Sequence, residues 1–196
     1  MRLGDDDVDL MLRYRDGDTE AFARLYARHK GGLYRYLLRQ VRNAGIASDL
    51  FQEVWSRLIA TRARYEPRAK FATFLFHIAH NCAMDFFRRS STQAEPGGEH
   101  DLSVAEAPEH LRPDRVAEFA ERQSALLAAL AALPREQRET FVLHEESGLS
   151  VEEIARITDV PAETAKSRLR YAVRKLKSSM EAAEEPAALA LRVRTI

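Results

Sequence analysis

The segment HIAHNCAMD, residues 77–85, brings together side chains that bind transition metals. Its two histidines, its cysteine and its aspartate are of the types that zinc and related ions prefer. A structural zinc ion takes four such ligands, and this half of the chain holds no second cluster of Cys or His. The chemistry of the segment therefore depends on which of these side chains its secondary structure brings together.

The apolar spacing around this segment predicts an amphipathic helix from Phe71 to Arg89. At about 100° per residue, Cys82 lies on the opposite side of such a helix from His77 and His80. These three side chains therefore cannot share one metal ion. We predict no metal, no cofactor and no catalytic group here, and we interpret Cys82 as a small buried hydrophobe.

One side of the same helix has the composition of a surface for single-stranded nucleic acid. Aromatic rings stack on bases, amides and imidazoles bind base edges, and cations bind phosphates. An ordinary amphipathic helix with a few exposed aromatics is the alternative that the segment leaves open. The residues predicted to be buried are Phe71, Phe74, Leu75, Ile78, Ala79, Cys82 and Phe86. The predicted exposed side carries Thr73, His77, His80, Asn81, Met84 and Arg88, is bordered by Phe76 and Phe87, and follows a loop with Tyr65 and Lys70.

The composition and periodicity of the whole chain predict an all-α protein. Its 196 residues, 45% of them hydrophobic, are enough to bury one or two cores. Breakers at Gly17, Gly31–Gly32, Gly45 and Pro67 divide the N-terminal half into four or five predicted helices, and nothing alternates like a strand. The single cysteine excludes an internal disulfide, and neither a secretion signal nor a membrane-length apolar run occurs. We therefore expect a cytoplasmic protein.

A change of composition predicts two helical domains joined by a linker. Residues 93–113 are polar, net acidic and rich in Pro and Gly, which is typical of a flexible connection. We assign residues 1–92 to an N-terminal helical bundle and residues 114–180 to the second domain. Pro186 interrupts the helical pattern of residues 181–196, which we interpret as a loosely held tail.

The second domain has the pattern of a helix-turn-helix between Leu149 and Lys177. Ser150 followed by Glu153 predicts a capping box, and Pro161 suits the first turn of the second helix. Between Thr164 and Ser178 lie six basic residues and no acid, although Lys plus Arg and Asp plus Glu both number 30 overall. This cationic helix favours DNA binding, with a solvated basic helix as the alternative. Its predicted apolar stripe is Ala165, Leu169, Ala172, Val173 and Leu176.

A further predicted helix, residues 49–60, has a buried side and an acidic, amide-rich side. Such a surface repels DNA phosphates, so it is either solvated or a docking site for a basic protein partner. The buried side holds Leu50, Phe51, Val54, Trp55, Leu58 and Ile59, and the exposed side holds Asp49, Gln52, Glu53 and Ser56.

Four segments in this order resemble bacterial RNA polymerase sigma factors of the sigma-70 superfamily, in the two-domain class called extracytoplasmic-function sigma factors. They are GDTEAFARLYARH (17–29), DLFQEVWSRLI (49–59), FATFLFHIAHNCAMDFFRR (71–89), and LPREQRETFVLHEESGLSVEEIARI with VPAETAKSRLR (133–170). The resemblance covers nearly all of the chain that we predict to be ordered, with the linker in the expected place.

The resemblance implies that the two domains are sigma region 2 and region 4 and that the partners are core RNA polymerase and promoter DNA, duplex and melted. Asp49, Gln52, Glu53 and Ser56 match the surface that binds the clamp coiled coil of the largest polymerase subunit. The helix from Phe71, with Tyr65 and Lys70, matches the element that melts the minus-ten region and holds a flipped base, with Tyr65 and Asn81 near that base. The minus-thirty-five contacts that it implies are Thr164, Lys166, Ser167, Arg168, Arg170, Tyr171 and Arg174.

The sequence departs from the family at two places. Ser48 stands where relatives often have a second acid at the start of the clamp-binding helix, and one hypothesis is that a kinase restores the charge there. His77 and His80 stand where relatives often have Arg or an apolar residue, so we expect weaker phosphate attraction. Many relatives are held by an anti-sigma factor, and nothing in the sequence indicates whether this one is.

Two other functions remain to be compared with a sigma factor. A stand-alone helix-turn-helix regulator with a ligand- or partner-binding first domain is the main alternative, but it has no use for a surface that binds single strands. An enzyme is disfavoured, since the sequence contains no nucleophile with a base, no glycine-rich phosphate loop and no paired carboxylates facing a cleft.

Overall fold

A computed structural model of the chain describes residues 6–92 and 113–193, and all regular secondary structure within these ranges is helical. The all-α prediction is therefore confirmed. The helices are α1 (Asp7–Arg15), α2 (Thr19–Val41), α3 (Ala44–Thr61), a short 3₁₀ helix (Arg62–Arg64), α4 (Phe71–Thr92), α5 (Pro113–Ala131), α6 (Arg135–Ser147), α7 (Val151–Thr158) and α8 (Ala162–Val193). Of the predicted linker, residues 93–112 lie outside the described residues, and Pro113 begins α5.

Side-chain caps define where the first three helices begin. Asp6, Asp18 and Asn43 each accept hydrogen bonds from backbone N–H groups in the first turn that follows. These N–H groups have no partner within their own helix, so each cap is worth about 1 kcal/mol. The caps divide the N-terminal domain into helices that can turn back on one another.

The N-terminal domain packs α1 to α4 around one apolar core. Its centre consists of fully buried aliphatic side chains, flanked by a cluster of aromatic rings in edge and tilted contact. The aliphatic group includes Leu10, Leu25, Leu33, Leu37, Val54, Leu58 and Leu75. The rings are Tyr14, Phe22, Tyr26, Phe51 and Trp55. This core continues into α6 and α7 through buried residues such as Leu143 and Ile154, and it holds α3 and α4 side by side.

The glycine pair at 31–32 does not end a helix, which corrects one predicted boundary. Helix α2 continues through both glycines to Val41. Each glycine costs a helix about 1 kcal/mol, but Leu25, Leu33 and Leu37 on either side are fully buried and hold the helix in place. The break occurs at Arg42, which has a left-handed conformation with φ 55°.

The C-terminal domain contains the predicted helix-turn-helix in α7 and α8. The Ser150 hydroxyl accepts from the Glu153 N–H at 3.2 Å, and the Glu153 carboxylate accepts from the Ser150 N–H at 2.8 Å, which confirms the capping box. Left-handed Asp159 begins the three-residue turn before α8. Ala165, Ala172 and Leu176 are buried as predicted, whereas Val173 is 47% exposed. Val173 lies one residue beyond the stripe, so the helical rotation turns it towards solvent.

Helix α8 does not end near Met180 as the sequence suggested. It continues through Pro186 to Val193. A proline removes one hydrogen bond and kinks a helix, but it does not have to end one. The residues that follow, Ala187 to Leu191, are alanine and leucine, which have the highest helix propensity.

Candidate nucleic-acid interface

Helix α4 has two buried stripes instead of the one that was predicted. Phe71, Leu75, Ala79 and Cys82 face the N-terminal core as expected. Thr73 and Phe76, predicted to lie on or beside the exposed side, are only 6% and 2% exposed. Thr73 is covered by α7, where its hydroxyl donates to Glu153, and Phe76 packs edge-on against the ring of Tyr36 in α2. Phe74, Ile78 and Phe86 are correspondingly only half buried.

The remaining predicted minus-ten residues divide into an exposed and a covered group. Lys70, His77, Asn81 and Arg88 are exposed, as predicted, whereas His80 and Met84 are only partly exposed. His80 lies about one helical turn after Phe76 of the second buried stripe, and it too contacts the second domain. Phe87, at the border of the predicted surface, lies 5.1 Å under the guanidinium of Arg135 from the second domain.

Tyr65, predicted to contact a base, is a core residue in this arrangement. Its side chain is 4% exposed, and its ring lies 5.1 Å from the ring of Phe74 in edge contact. The hydroxyl is buried without a hydrogen bond to the described residues. Burial, and then the negative charges of Asp6 and Asp7, raise the pKa of this phenol. The loop after the 3₁₀ helix turns the ring inward, which sequence spacing could not indicate.

A cavity of about 530 Å³ opens beside Tyr65 and gathers three of the predicted residues. Its volume is that of a small-ligand site. The wall combines aromatic, hydrogen-bonding and cationic groups, including Tyr65, Thr73, Phe74 and His77 from the first domain and Arg156 and Ile157 from α7. Asn81 lines a smaller cavity of about 300 Å³ together with Arg57, Phe74 and Ile78. The two cavities share Phe74, so they are adjacent parts of one surface on α4.

A carboxylate of the second domain binds His80. Glu139 Oε1 lies 2.6 Å from His80 Nδ1 and accepts a hydrogen bond of 2.7 Å from the Tyr36 hydroxyl. Because Glu139 is an acceptor when ionised, we assign the proton to Nδ1 of His80. Burial, and then the charge and hydrogen bond of Glu139, raise the pKa of Tyr36 well above its usual value.

A second carboxylate, Glu153, binds the N-terminal end of α4. It accepts from the Thr73 hydroxyl and from the Lys70 ammonium, both at 3.2 Å, while it also completes the capping box with Ser150. Burial alone would raise the pKa of Glu153, but these hydrogen bonds and the nearby Lys70 charge lower it overall. The Glu153 side chain therefore helps to cap α7 and also connects the two domains.

A third carboxylate, Glu146, binds helix α2. It accepts from Arg35 Nε at 2.6 Å and from Arg39 Nη1. A Cβ on Gly32 would lie 3.5 Å from the backbone oxygen of Glu146, so α2 and α6 approach closely at the glycine pair. Glu139, Glu146 and Glu153 were not identified from the sequence as functional. The sequence could have indicated these residues through their spacing of seven, which places Glu139 and Glu146 on the same side of one helix.

The predicted docking patch on α3 is exposed over most of its length. Asp49, Gln52 and Ser56 are exposed, and Glu53 is partly buried. Arg57 binds Glu53 at 2.5 Å and Asp85 of α4 at 3.1 Å, so the Glu53 charge is partly neutralised. Of the residues predicted to be buried on this helix, Ile59 is 37% exposed.

Ser48 does not lie at the start of its helix, which corrects the predicted position of the phosphorylation site. Helix α3 begins at Ala44 behind the Asn43 cap, so Ser48 is its fifth residue. The free N–H groups that favour a phosphate belong to the first four residues. Ser48 is also only partly exposed.

The side of α8 that is predicted to contact the minus-thirty-five DNA is exposed to solvent. Lys166, Arg170, Tyr171 and Arg174 are exposed, and Thr164, Ser167 and Arg168 are partly exposed. The guanidiniums of Arg170 and Arg174 lie 5.3 and 4.9 Å from the centre of the Tyr171 ring on either side of it in sequence. Three of the predicted minus-thirty-five residues thus form one cationic, aromatic surface, which we call the α8 surface.

Cys82 and the two histidines of α4 lie in different surroundings. Cys82 is fully buried in the core, while His77 is exposed and His80 faces the second domain. Burial raises the pKa of the Cys82 thiol to about 11. Within residues 6–92 and 113–193, no three His, Cys, Asp or Glu side chains are arranged to hold a metal ion. The same part of the chain has no helix long and apolar enough to cross a membrane.

Two parts of the chain match known protein families. Residues 25–93 match Sigma-70 region 2, and residues 123–176 match Sigma-70, region 4. The RNA polymerase sigma factor CarQ of Myxococcus xanthus is 34% identical over 167 residues, which cover 85% of this chain and 93% of CarQ. The ECF RNA polymerase sigma factor SigX of Bacillus subtilis (strain 168) is 28% identical over 168 residues, covering 85% of this chain and 87% of SigX.

Solved structures of similar fold also exist. CnrH, in complex with the cytosolic domain of CnrY, is 21% identical with a TM-score of 0.63, covering 90% of this chain and 97% of that one. RpoE, in complex with the anti-sigma factor NepR from Bartonella quintana, is 21% identical with a TM-score of 0.65, covering 82% and 96%. At this identity the two structures establish that the fold is shared.

Proposed function

We propose a division of labour within this chain, which belongs to the extracytoplasmic-function class of the sigma-70 family and is an alternative sigma factor that directs transcription initiation. In this proposal α3 binds core RNA polymerase and the α8 surface binds the minus-thirty-five duplex. The exposed residues Lys70, His77, Asn81 and Arg88, which we call the α4 surface, bind the melted minus-ten strand. The match of residues 25–93 to Sigma-70 region 2 also argues against a stand-alone regulator, because the first domain is then a sigma-factor domain.

The observation that carries the proposal is that one chain presents two exposed surfaces of opposite electrical character. The α3 patch exposes the carboxylate of Asp49 and the amide of Gln52, which suit a basic protein partner and repel phosphate. The α8 surface exposes the guanidiniums of Arg170 and Arg174, which suit phosphates and guanine edges. A protein that links polymerase to a promoter needs both.

The α4 surface supports the third role through its adjoining cavities. A flipped base needs a pocket that offers stacking and edge contacts, and Phe74, His77 and Asn81 line these cavities. Tyr65 also lines the larger cavity, but its ring is packed against Phe74 and almost fully buried, so it offers little surface for stacking on a base. We keep His77 and Asn81 as proposed base contacts and Lys70 and Arg88 as proposed phosphate contacts.

We further propose that residues 1–92 and 114–180 act as the polymerase- and promoter-binding units and that the chain has no catalytic chemistry of its own. The polymerase would supply the nucleotidyl transfer, and the chain would work in the cytoplasm with the chromosome. RpoE was solved with an anti-sigma factor, and we propose that a protein of that kind restrains this chain too.

Transcription in vitro with core polymerase tests the division of labour. Templates carry a library of random upstream sequences, and the initiated transcripts identify the promoter. With that promoter, Arg170→Ala with Arg174→Ala should weaken duplex binding, and the slope of log affinity against log salt should fall by roughly 1 for each phosphate that the variant no longer neutralises. Asp49→Ala with Gln52→Ala should instead weaken polymerase binding and leave duplex binding unchanged.

Lys177→Ala provides a matched control for the α8 variants. It removes an exposed cation from the same helix, one whose ammonium lies 3.8 Å from Glu181. The proposal fails if initiation does not depend on the chain, or if Lys177→Ala weakens duplex binding as much as the paired arginine variant does.

A further inference from the structure

We propose that helix α1 positions the loop of residues 62–70, and that Tyr14 is the residue through which it does so. This loop runs from the 3₁₀ helix to the start of α4 and contains Lys70 of the α4 surface. Tyr14 acts by holding Arg62 and does not itself contact DNA, so it is a positioning residue. The consequence for DNA rests on the function proposed above for α4, but the contact between α1 and the loop does not.

The loop contains little that holds it in one conformation by itself. It carries four cations, Arg62, Arg64, Arg68 and Lys70, and the single acid Glu66, and like charges repel one another. Glu66 pairs with Arg68 at 2.6 Å, but both side chains are more than half exposed, so this pair contributes little. The backbone hydrogen bonds within the loop span two or three residues and shape only local turns. The loop therefore depends on contacts with other elements for its position.

Helix α1 contacts the first residue of the loop through a cation–π interaction. The guanidinium of Arg62 lies 5.5 Å from the centre of the Tyr14 ring. Tyr14 is only 7% exposed, and its ring also contacts the ring of Phe22, with 4.7 Å between the two centres. The negative face of an aromatic ring attracts a cation, so a ring that is fixed in the core attracts Arg62 to α1.

The start of α1 lies close to the middle and the end of the same loop. Asp6 and Asp7 are near enough to Tyr65 for their charges to raise the pKa of its phenol, in addition to the larger effect of burial. Asp7 Oδ2 lies 2.6 Å from His29 Nε2, and the His29 ring lies 5.1 Å from the ring of Phe71, the first residue of α4. One helix of nine residues is therefore linked to both ends of the loop.

Helix α1 is itself firmly attached to the domain. Leu10 and Met11 are fully buried in the core, and burying a side chain of this size contributes more than an exposed ion pair does. Asp6 caps the helix by accepting from the Asp9 N–H at 2.7 Å. The match to Sigma-70 region 2 begins only at residue 25, after α1. A fixed helix outside that match can thus support the loop.

The position of the loop matters because the loop forms one wall of the larger cavity. Six residues between Thr61 and Ala69 line that cavity, and Lys70 at the end of the loop is a proposed phosphate contact. A loop that is already held in place loses less conformational entropy when a strand binds. Support from α1 therefore favours capture of the melted strand.

The alternative role for Arg62 is that of a phosphate contact, and a double-mutant cycle distinguishes the two roles. If Arg62 bound phosphate independently of α1, the effects of Tyr14→Leu and Arg62→Gln on promoter melting would multiply. If Arg62 acts through Tyr14, the double variant should melt the promoter no more slowly than the slower single variant.

The first measurement is the mobility of the loop in the full chain. Ala63→Cys replaces an exposed residue of the 3₁₀ helix and accepts a nitroxide spin label, and Cys82 is fully buried and does not compete for it. Electron paramagnetic resonance should show a more mobile label when Tyr14→Leu or Arg62→Gln is added. Tyr14→Phe keeps the ring and should leave the label as it is in the otherwise unchanged protein.

Tyr26→Leu is the matched control for Tyr14→Leu. It removes another ring of the same aromatic cluster, one that also holds a cation, with Lys30 Nζ 5.9 Å from its centre. That cation belongs to α2 instead of the loop, so Tyr26→Leu should not change the mobility of the label. Circular dichroism checks that each variant is folded.

The second measurement is promoter melting by core polymerase with the full chain, on the promoter that the template library identifies. 2-Aminopurine in the minus-ten region reports strand separation, and a gel shift reports the affinity of the closed complex. Tyr14→Leu and Arg62→Gln should each melt the promoter about two- to fivefold more slowly, the factor that an exposed cation–π contact allows. The affinity of the closed complex should not change, and Tyr14→Phe should restore the rate.

Four results would overturn the proposal. They are an unchanged label in Tyr14→Leu, an equal change in Tyr26→Leu, an unchanged melting rate in Tyr14→Leu, and effects of Tyr14→Leu and Arg62→Gln that multiply. If the chain directs initiation on no template, the function proposed for α4 fails, and the spin label still decides whether α1 holds the loop.

Discussion

Coupling between Thr73 and Glu153 provides a quantitative test of the contact between the two domains. The Thr73 hydroxyl, on a residue 6% exposed, donates at 3.2 Å to a carboxylate on a residue 5% exposed. Thr73→Val removes the hydroxyl and keeps the shape of the side chain. Glu153→Gln removes the charge and keeps an oxygen that can accept from Ser150. The two changes, made singly and together, form a double-mutant cycle.

The expected coupling follows from the geometry. A hydrogen bond to a charged group contributes about 1.5–3 kcal/mol, but 3.2 Å is longer than the usual O–H to O distance of about 2.7–2.8 Å. Gln at 153 also keeps part of the bond. We therefore expect a coupling free energy of about 1 kcal/mol between the two positions. Lys70, which is 66% exposed, adds at most a few tenths after solvent screening.

Urea unfolding followed by circular dichroism measures the four free energies of unfolding. Ser150→Ala is the control for the capping box, because it removes the hydroxyl cap of α7 and leaves the Thr73 contact in place. Ser150→Ala should lower the free energy of unfolding by about 1 kcal/mol, and its effect should not depend on whether Thr73→Val is also present. If Thr73→Val costs the same with Glu at 153 as with Gln there, the domains are not joined through this bond and the structural argument is wrong.

Two further predictions concern titratable groups in the described part of the chain. The pKa of Glu153 is lowered in the folded protein, so its stabilising effect is complete above the usual Glu pKa of about 4.5 and is lost as pH falls through the lowered value. The stability difference between the unchanged protein and Glu153→Gln should therefore shrink below about pH 4.5, and a constant difference from pH 7 to pH 3 would contradict the assignment. Cys82, buried and with its pKa raised to about 11, should resist alkylation by iodoacetamide at pH 8 in the folded protein and react in urea. Rapid alkylation of the folded protein would mean that α4 does not pack as described.

The helix-turn-helix could be predicted because its signals are local. A capping box needs two residues three apart, and Ser150 with Glu153 form it as expected. The cationic side of α8 likewise follows from helical periodicity alone, and its arginines are exposed. The wheel of α4 placed Cys82 in the core for the same reason. Such features depend on neighbours within one or two turns, which the sequence specifies directly.

The boundaries that were wrong involve competition between local propensity and packing. Gly31 and Gly32 disfavour a helix locally, yet buried leucines on both sides keep α2 continuous. The sequence pattern predicts a helix start at Ser48, but the Asn43 cap begins the helix four residues earlier, at Ala44. In each case a tertiary or capping interaction of about 1 kcal/mol or more outweighed a weak local preference.

The sequence by itself determined the class of fold, the family and the two surfaces that lie on single helices, because these depend on short-range periodicity and motif order. Only the tertiary structure decided what His80 and Thr73 bind. Their partners Glu139 and Glu153 lie 59 and 80 residues away along the chain, and a helical wheel shows which side of α4 is polar but not what covers it. The same polar side chains suit a DNA strand and a buried carboxylate, and the packing of the second domain selects the carboxylate.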